Sequence, residues 1–113
     1  MKHIPKIQVR SYECDSYNHV NNAVYLNYLE HSRMDFLNAC QFDYKGLVEK
    51  GYSLYVTHID IFYKGSAFLN DNLEVESYPT QLKNVSGEFS ILRLTGLSPV
   101  VRSTAAVMIS SIP

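Results

Sequence analysis

Apolar and polar residues alternate from Lys6 to Glu13, with Ile7 and Val9 set against Gln8 and Arg10, the period of a strand with one wet face. The alternation breaks at a polar run, Asp15-Ser16-Tyr17-Asn18-His19-Val20-Asn21-Asn22. From Ala23 to Cys40 the period becomes helical: Tyr25, Tyr28, Leu29, Phe36, Leu37 and Cys40 fall on or near one face, and no Gly or Pro interrupts them. Asn21 or Asn22 suits the N-cap, because an Asn side-chain oxygen accepts from the free amides of a first turn. A second, short helix is predicted over Tyr44 to Glu49, stopped by Gly51.

Beyond Gly51 the pattern belongs to strands. Tyr52 to Tyr63 is rich in β-branched and aromatic residues, Leu73-Glu74-Val75-Glu76 alternates, and Ser86 to Leu94 and Val100 to Ser110 complete the set. Lys64-Gly65-Ser66, Asn70-Asp71-Asn72 and Gly96 to Pro99 punctuate them. Strand, long helix, short helix and then four strands predict an α+β fold with an antiparallel sheet. With no repeat or linker, residues 1–113 read as a single domain. One helix on one sheet makes a thin core, so the sheet is expected to curve around the helix.

Composition narrows the function. Ten Lys and Arg against eleven Asp and Glu give a net charge of −1, and the charges are scattered. No basic stripe is present to track a phosphate backbone, so no nucleic acid partner is expected. No apolar run approaches the ~18 residues of a membrane span, and Met1-Lys2-His3-Ile4-Pro5-Lys6 lacks a signal-peptide core. Cys14 and Cys40 form neither a disulfide framework nor a zinc motif, which points to a reduced, cytoplasmic setting. His3, His31 and His58 share no ligand spacing, and phosphate loops are absent, so neither metal nor cofactor is expected.

The polar run holds the candidate chemistry. Asp15 lies between a strand and the start of a long helix, where free amides and the helix dipole favour a developing oxyanion. An Asp there also forms turns. Asn18 and Asn21 fit a hydrogen-bonded loop that fixes the start of the helix, and His19 is either a general base or a structural residue. Cys14 with His19 offers a thiol and a base, but Cys14 reads better as a small apolar strand residue. Glu30 and Arg33, three apart, are expected to pair on the surface.

Val9 to Glu30, with its strand-then-Asp, its His19-Val20-Asn21-Asn22-x-x-Tyr25 segment and its Tyr28-x-Glu30-x-x-Arg33 helix, resembles the signature of hotdog-fold acyl thioesterases of the 4-hydroxybenzoyl-CoA thioesterase type. Plant acyl-acyl carrier protein thioesterases share the Asp-x-x-x-His-Val-Asn-Asn core. The order of elements fits across nearly the whole chain, and Phe62-Tyr63-Lys64-Gly65-Ser66-Ala67 matches the family's second-strand exit, with Ser66 at a frequent Pro position. The resemblance implies a hotdog fold, a long central helix wrapped by a curved antiparallel sheet.

It also implies a site. Asp15 matches the catalytic carboxylate, Asn22 the helix-start amide that binds the thioester oxygen, and His19 a residue of many members. Tyr17 stands where the plant enzymes carry an Asn. Tyr17, Tyr25, Tyr28 and Lys64 are the candidates for contact with substrate; Tyr25 and Tyr28, like Tyr55 and Phe62, are equally core candidates. Lys64 and Arg93 are candidates to meet phosphates.

Such a site is chemically sufficient. A leaving thiol with a pKa near ~8.5 departs without a strong acid, and one carboxylate serves as base or nucleophile if the oxyanion is held. The expected reaction is hydrolysis of an acyl-CoA or acyl carrier protein thioester by a homodimer or homotetramer. The rival readings are a non-catalytic acyl-binding module and a hotdog hydratase or dehydratase with His19 as base.

Overall fold

The computed structural model describes residues 4–39, 41, 43–82, 85–94 and 99–111, with 44, 78–82, 85–94 and 107–111 described through the backbone. His3, Cys40 and the start of the 96–99 turn lie outside the described residues, as does the side chain of Arg93.

Five antiparallel strands form one sheet: β1 (Lys6–Gln8), β2 (Tyr52–Tyr63), β3 (Asn72–Leu82), β4 (Val85–Leu94) and β5 (Pro99–Ser111), in the order β1-β3-β4-β5-β2. A long helix, α1 (Asn22–Ala39), packs on β3, and a short one, α2 (Tyr44–Glu49), leads into β2. The α+β antiparallel expectation therefore holds. No helix of the described residues is long and apolar enough to cross a membrane.

Helix α1 buries Tyr25, Tyr28, Leu29, Ser32 and Arg33, the i, i+3, i+4, i+7, i+8 stripe of a helix with one face against a sheet. Facing it are Leu73, Val75 and Ser77 of β3 and Val101, Ser103 and Ala105 of β5, alternate residues of strands whose intervening Arg102 and Thr104 are exposed. Phe36 and Leu37 extend the stripe half-buried. Ser32 interrupts the apolar pattern yet is fully buried. Its hydroxyl lies 3.0 Å from that of Ser77 and 3.5 Å from the Val75 carbonyl, so helix and sheet approach closely with their polar atoms satisfied.

Three expectations are corrected. The first strand stops at Gln8 rather than Glu13 because the Glu13 carboxylate accepts the Arg10 amide at 2.8 Å and closes a 3₁₀ turn over Ser11–Glu13. Strand β3 runs on to Leu82, since β4 pairs with it from Leu73↔Leu94 to Leu82↔Ser86. Arg33 is not a surface partner of Glu30: at 9% exposure it belongs to the buried stripe, its aliphatic stem suited to apolar surroundings.

Candidate active site

The polar run folds into a miniature hairpin. Cys14 and Val20 form an antiparallel bridge, and between them the Asp15 amide donates to the His19 carbonyl at 2.8 Å. The Asn18 amide returns to the Asp15 carbonyl at 3.1 Å, and Asn18 itself sits at φ 63°. A turn followed by a left-handed residue is a standard three-residue hairpin loop, and Asn tolerates that conformation better than most residues. Asp15 completes it: its Oδ1 accepts the amides of Tyr17 at 2.9 Å and His19 at 3.2 Å. Its Oδ2 has no bond among the described residues, and the side chain is exposed. One oxygen of the carboxylate thus closes the turn while the other is left free of a bond among the described residues.

Asn21 caps α1, its Oδ1 accepting the Ala23 amide at 2.9 Å and its carbonyl the Val24 amide at 2.9 Å. Asn22 is the first helical residue. Its amide has no intrahelical acceptor and none among the other described residues. The Asn22 carbonyl takes the Tyr63 hydroxyl at 3.1 Å, which fastens the helix start to the end of β2. Asp15, His19 and Asn22 therefore lie on one short stretch, with the helix dipole directed at it.

Residues 67–71 hold that stretch in place. The Ala67 carbonyl accepts the Val20 amide at 2.9 Å, the Asn18 carbonyl accepts the Leu69 amide at 3.1 Å, and Val9 pairs with both Asp71 and Asn70. The half-buried His19 ring meets Phe68 edge-on at 4.6 Å. Nothing in the local sequence announces this brace, because its partners are about fifty residues away along the chain.

Beneath the hairpin lies a cluster that sequence reasoning missed. Glu13 is 8% exposed, and its carboxylate takes the Arg10 guanidinium through both oxygens, at 3.2 and 2.9 Å, together with the Tyr28 hydroxyl at 2.9 Å. Burial pushes the Glu13 carboxyl up, but the bonds from Arg10 and Tyr28 outweigh it and hold the group below the ordinary glutamate value. Burial and the Glu13 charge raise the Tyr28 phenol strongly, so it remains a neutral donor. The signal available in sequence was the i, i+3 spacing of Arg10 and Glu13.

The other candidates are distributed. Tyr17 projects from the hairpin tip at 80% exposure. Tyr25 and Tyr28 are 2% exposed, as the core alternative has it, and the Tyr25 hydroxyl accepts the Ala67 amide at 2.9 Å. Lys64 lies past the end of β2, lining a shallow depression with Phe62 and Arg102. Cys14 is half-buried against the core with Sγ toward the Arg10 carbonyl. Burial, then Asp15 and Glu13, raise its thiol, which opposes a thiolate nucleophile. A separate cavity of about 260 Å³ opens between α1 and the sheet, lined by Leu26, Leu29, Val56, Ile59 and, at its polar end, Glu30 and Arg33.

Comparison with known proteins agrees with this architecture. The profile of the Thioesterase-like superfamily matches residues 9–108. The chain is 38% identical over 85 residues to the long-chain acyl-CoA thioesterase FadM of Escherichia coli, covering 75% of this chain and 64% of that protein. It is 25% identical over 103 residues to the acyl-acyl carrier protein thioesterase ATL3 of Arabidopsis thaliana, covering 89% of this chain and 54% of that one. The chain thus spans about two thirds and about half of the lengths of these relatives. Among solved structures, a probable thioesterase from Bartonella henselae superposes with a TM-score of 0.89 at 21% identity, covering 98% of this chain and 93% of the other. That likeness carries the fold, the hotdog arrangement expected from the signature.

Proposed function

The chain belongs to the Thioesterase-like superfamily, and from that premise we propose that it hydrolyses an acyl thioester to a carboxylic acid and a thiol. The observation that carries the reading is the Asp15 carboxylate, fixed through Oδ1, beside a helix whose first amide is that of Asn22, with neither Asp15 Oδ2 nor that amide bonded among the described residues. The carbonyl oxygen of the thioester accepts the Asn22 amide. As a base, Asp15 takes a proton from water; the water oxygen bonds to the carbonyl carbon, the C–S bond breaks, and the thiolate leaves. As a nucleophile, Asp15 bonds to that carbon itself and expels the thiolate, and water then cleaves the acyl-aspartate. In both routes negative charge grows on the oxygen facing Asn22, where an aligned amide contributes about 3–4 kcal/mol in a comparable oxyanion hole.

His19 is the adjacent ring, held against Phe68, and in this reading it borders the carbonyl rather than taking the proton of the attacking water. The cavity between α1 and the sheet suits the acyl chain, since Leu26 lies one turn beyond Asn22 on the same helix face. Lys64 and the exposed Tyr17 are placed outside the buried stripe, where a thiol carrier would pass. FadM is a long-chain acyl-CoA thioesterase and ATL3 an acyl-acyl carrier protein thioesterase, and thioesters of both carriers are substrates to test for this chain. A homo-oligomer that closes the acyl cavity belongs to the same proposal.

The test is a panel of acyl-CoA and acyl carrier protein thioesters followed by thiol release. Turnover on at least one, lost by about 10²–10⁴-fold in Asp15→Asn with the fold intact, is expected. Acyl binding without turnover on any of them would favour the non-catalytic module, with Asp15 a turn former alone.

A further inference from the structure

We propose that Arg10, Glu13 and Tyr28 form a positioning cluster that fixes the Asp15 carboxylate and the Asn22 amide relative to each other. Its kinetic consequence rests on the thioester reading above; its structural consequence does not. Glu13 is the point where the two halves of the site meet. Asp15 lies two residues downstream of it, on the rising arm of the hairpin. The Glu13 carbonyl accepts the Asn21 amide at 3.0 Å, and Asn22 is the next residue. Both candidate reacting groups are thus tethered to one residue, one through the chain and the other through a backbone hydrogen bond.

The side chain of Glu13 then ties this junction to rigid structure. Its Oε1 accepts the Arg10 amide at 2.8 Å, the Arg10 Nε at 3.2 Å and the Tyr28 hydroxyl at 2.9 Å, while Oε2 accepts the Arg10 Nη2 at 2.9 Å. Tyr28 is 2% exposed and anchored in the core against Tyr25, so its hydroxyl is a fixed reference point on α1. The opposite anchor, Arg10, lies just before the 3₁₀ turn, one residue after the fully buried Val9.

Glu13 and Tyr28 are buried while the Arg10 side chain is 55% exposed. Polar groups taken from water in this way are a poor source of net stability, because well-packed apolar residues of similar volume often serve as well. Directional bonds do something apolar contacts do not: they set distances to a few tenths of an ångström. A misplacement of about 1 Å between reacting groups costs on the order of 10²-fold in rate. A tethered carboxylate on an otherwise exposed hairpin needs such a reference.

Tyr28→Phe, which removes one hydroxyl and keeps the ring, tests the proposal, with Glu13→Gln as the stronger perturbation. Two readouts are used on the whole chain. Amide exchange is expected to rise by about tenfold or more at Asn21, Tyr17 and His19 in Tyr28→Phe, with β4 and β5 amides unchanged, as local opening without global unfolding requires. On an acyl-CoA that the wild type hydrolyses, kcat is expected to fall about tenfold or more with KM within about twofold, and the loss to be several-fold smaller in an Asp15→Asn background, since effects that act partly through one group are not additive. Unchanged exchange at Asn21 and His19 would overturn the proposal, as would a kcat loss that merely tracks the folded fraction or adds fully to that of Asp15→Asn. A wild type inactive on every thioester would remove the thioester reading alone, and the exchange result would still decide for or against the cluster.

Discussion

Asp15 shows how a turn former can also be the proposed reacting group: Oδ1 closes the turn by accepting two amides, and that bonding orients Oδ2. Asparagine keeps the turn acceptor and loses the charge, which is why Asp15→Asn separates the roles. Cys14, by contrast, packs half-buried against the core. Its raised thiol favours the uncharged form, and Cys14→Ser is expected to retain most thioesterase activity in the thiol-release assay. Loss as deep as that of Asp15→Asn, with acyl trapped on the thiol, would reverse that assignment. Glu13 gives a pH prediction. Its folded carboxyl titrates below the ordinary value of 4.5, so the stabilisation is complete above that value and is lost as pH falls through the lowered one. Thermal denaturation from neutral pH into acid should therefore show a steeper fall for the wild type than for Glu13→Gln, which carries no titrating group there.

At the scale of elements, two short signals set the ends of the helices. Asn21 caps α1 through the Ala23 amide, and Asn21→Ala is expected to cost about 1 kcal/mol in denaturant unfolding, while Asn21→Ser costs little. The same change should lower activity, because the freed first turn carries the Asn22 amide. Gly51 follows α2 at φ +85° with no atom near its absent Cβ, so the demand is conformational rather than steric crowding. Gly51→Ala should destabilise by about 1–2 kcal/mol, and Gly51→Asn by less.

For the whole molecule, β2 is the telling element, because it ends the sheet. Tyr52, Val56, Ile59, Phe62 and Tyr63 along it are 39–62% exposed. A long edge strand with this composition invites pairing with another chain. The cavity between α1 and the sheet, lined by Val56 and Ile59 and proposed above for the acyl chain, is expected to be completed by a second copy. Light scattering at micromolar concentration should give a homodimer or larger, with activity falling on dilution to monomer. A monomer turning over at full rate would contradict this.

The types and order of the elements were legible in the chain because they depend on neighbours. Period-2 alternation marks a strand, a three-to-four residue stripe marks α1, and Tyr52 to Tyr63 was bounded by Gly51 and Lys64-Gly65 as observed. The signature from Asp15 to Asn22 was equally local, and so the family and the candidate chemistry were readable there. What only the tertiary structure decided is which polar side chains go inside. Glu13 meets Tyr28 fifteen residues on, the Tyr25 hydroxyl meets the Ala67 amide across forty-two and Ser32 meets Ser77 across forty-five. Arg33 is buried although its sequence neighbours suggested a surface pair. A polar residue is stable in the interior only when a distant partner satisfies it, and periodicity carries no record of that partner. The brace at residues 67–71 belongs to the same class: its backbone bonds fix the hairpin, and backbone bonds leave no mark on residue type.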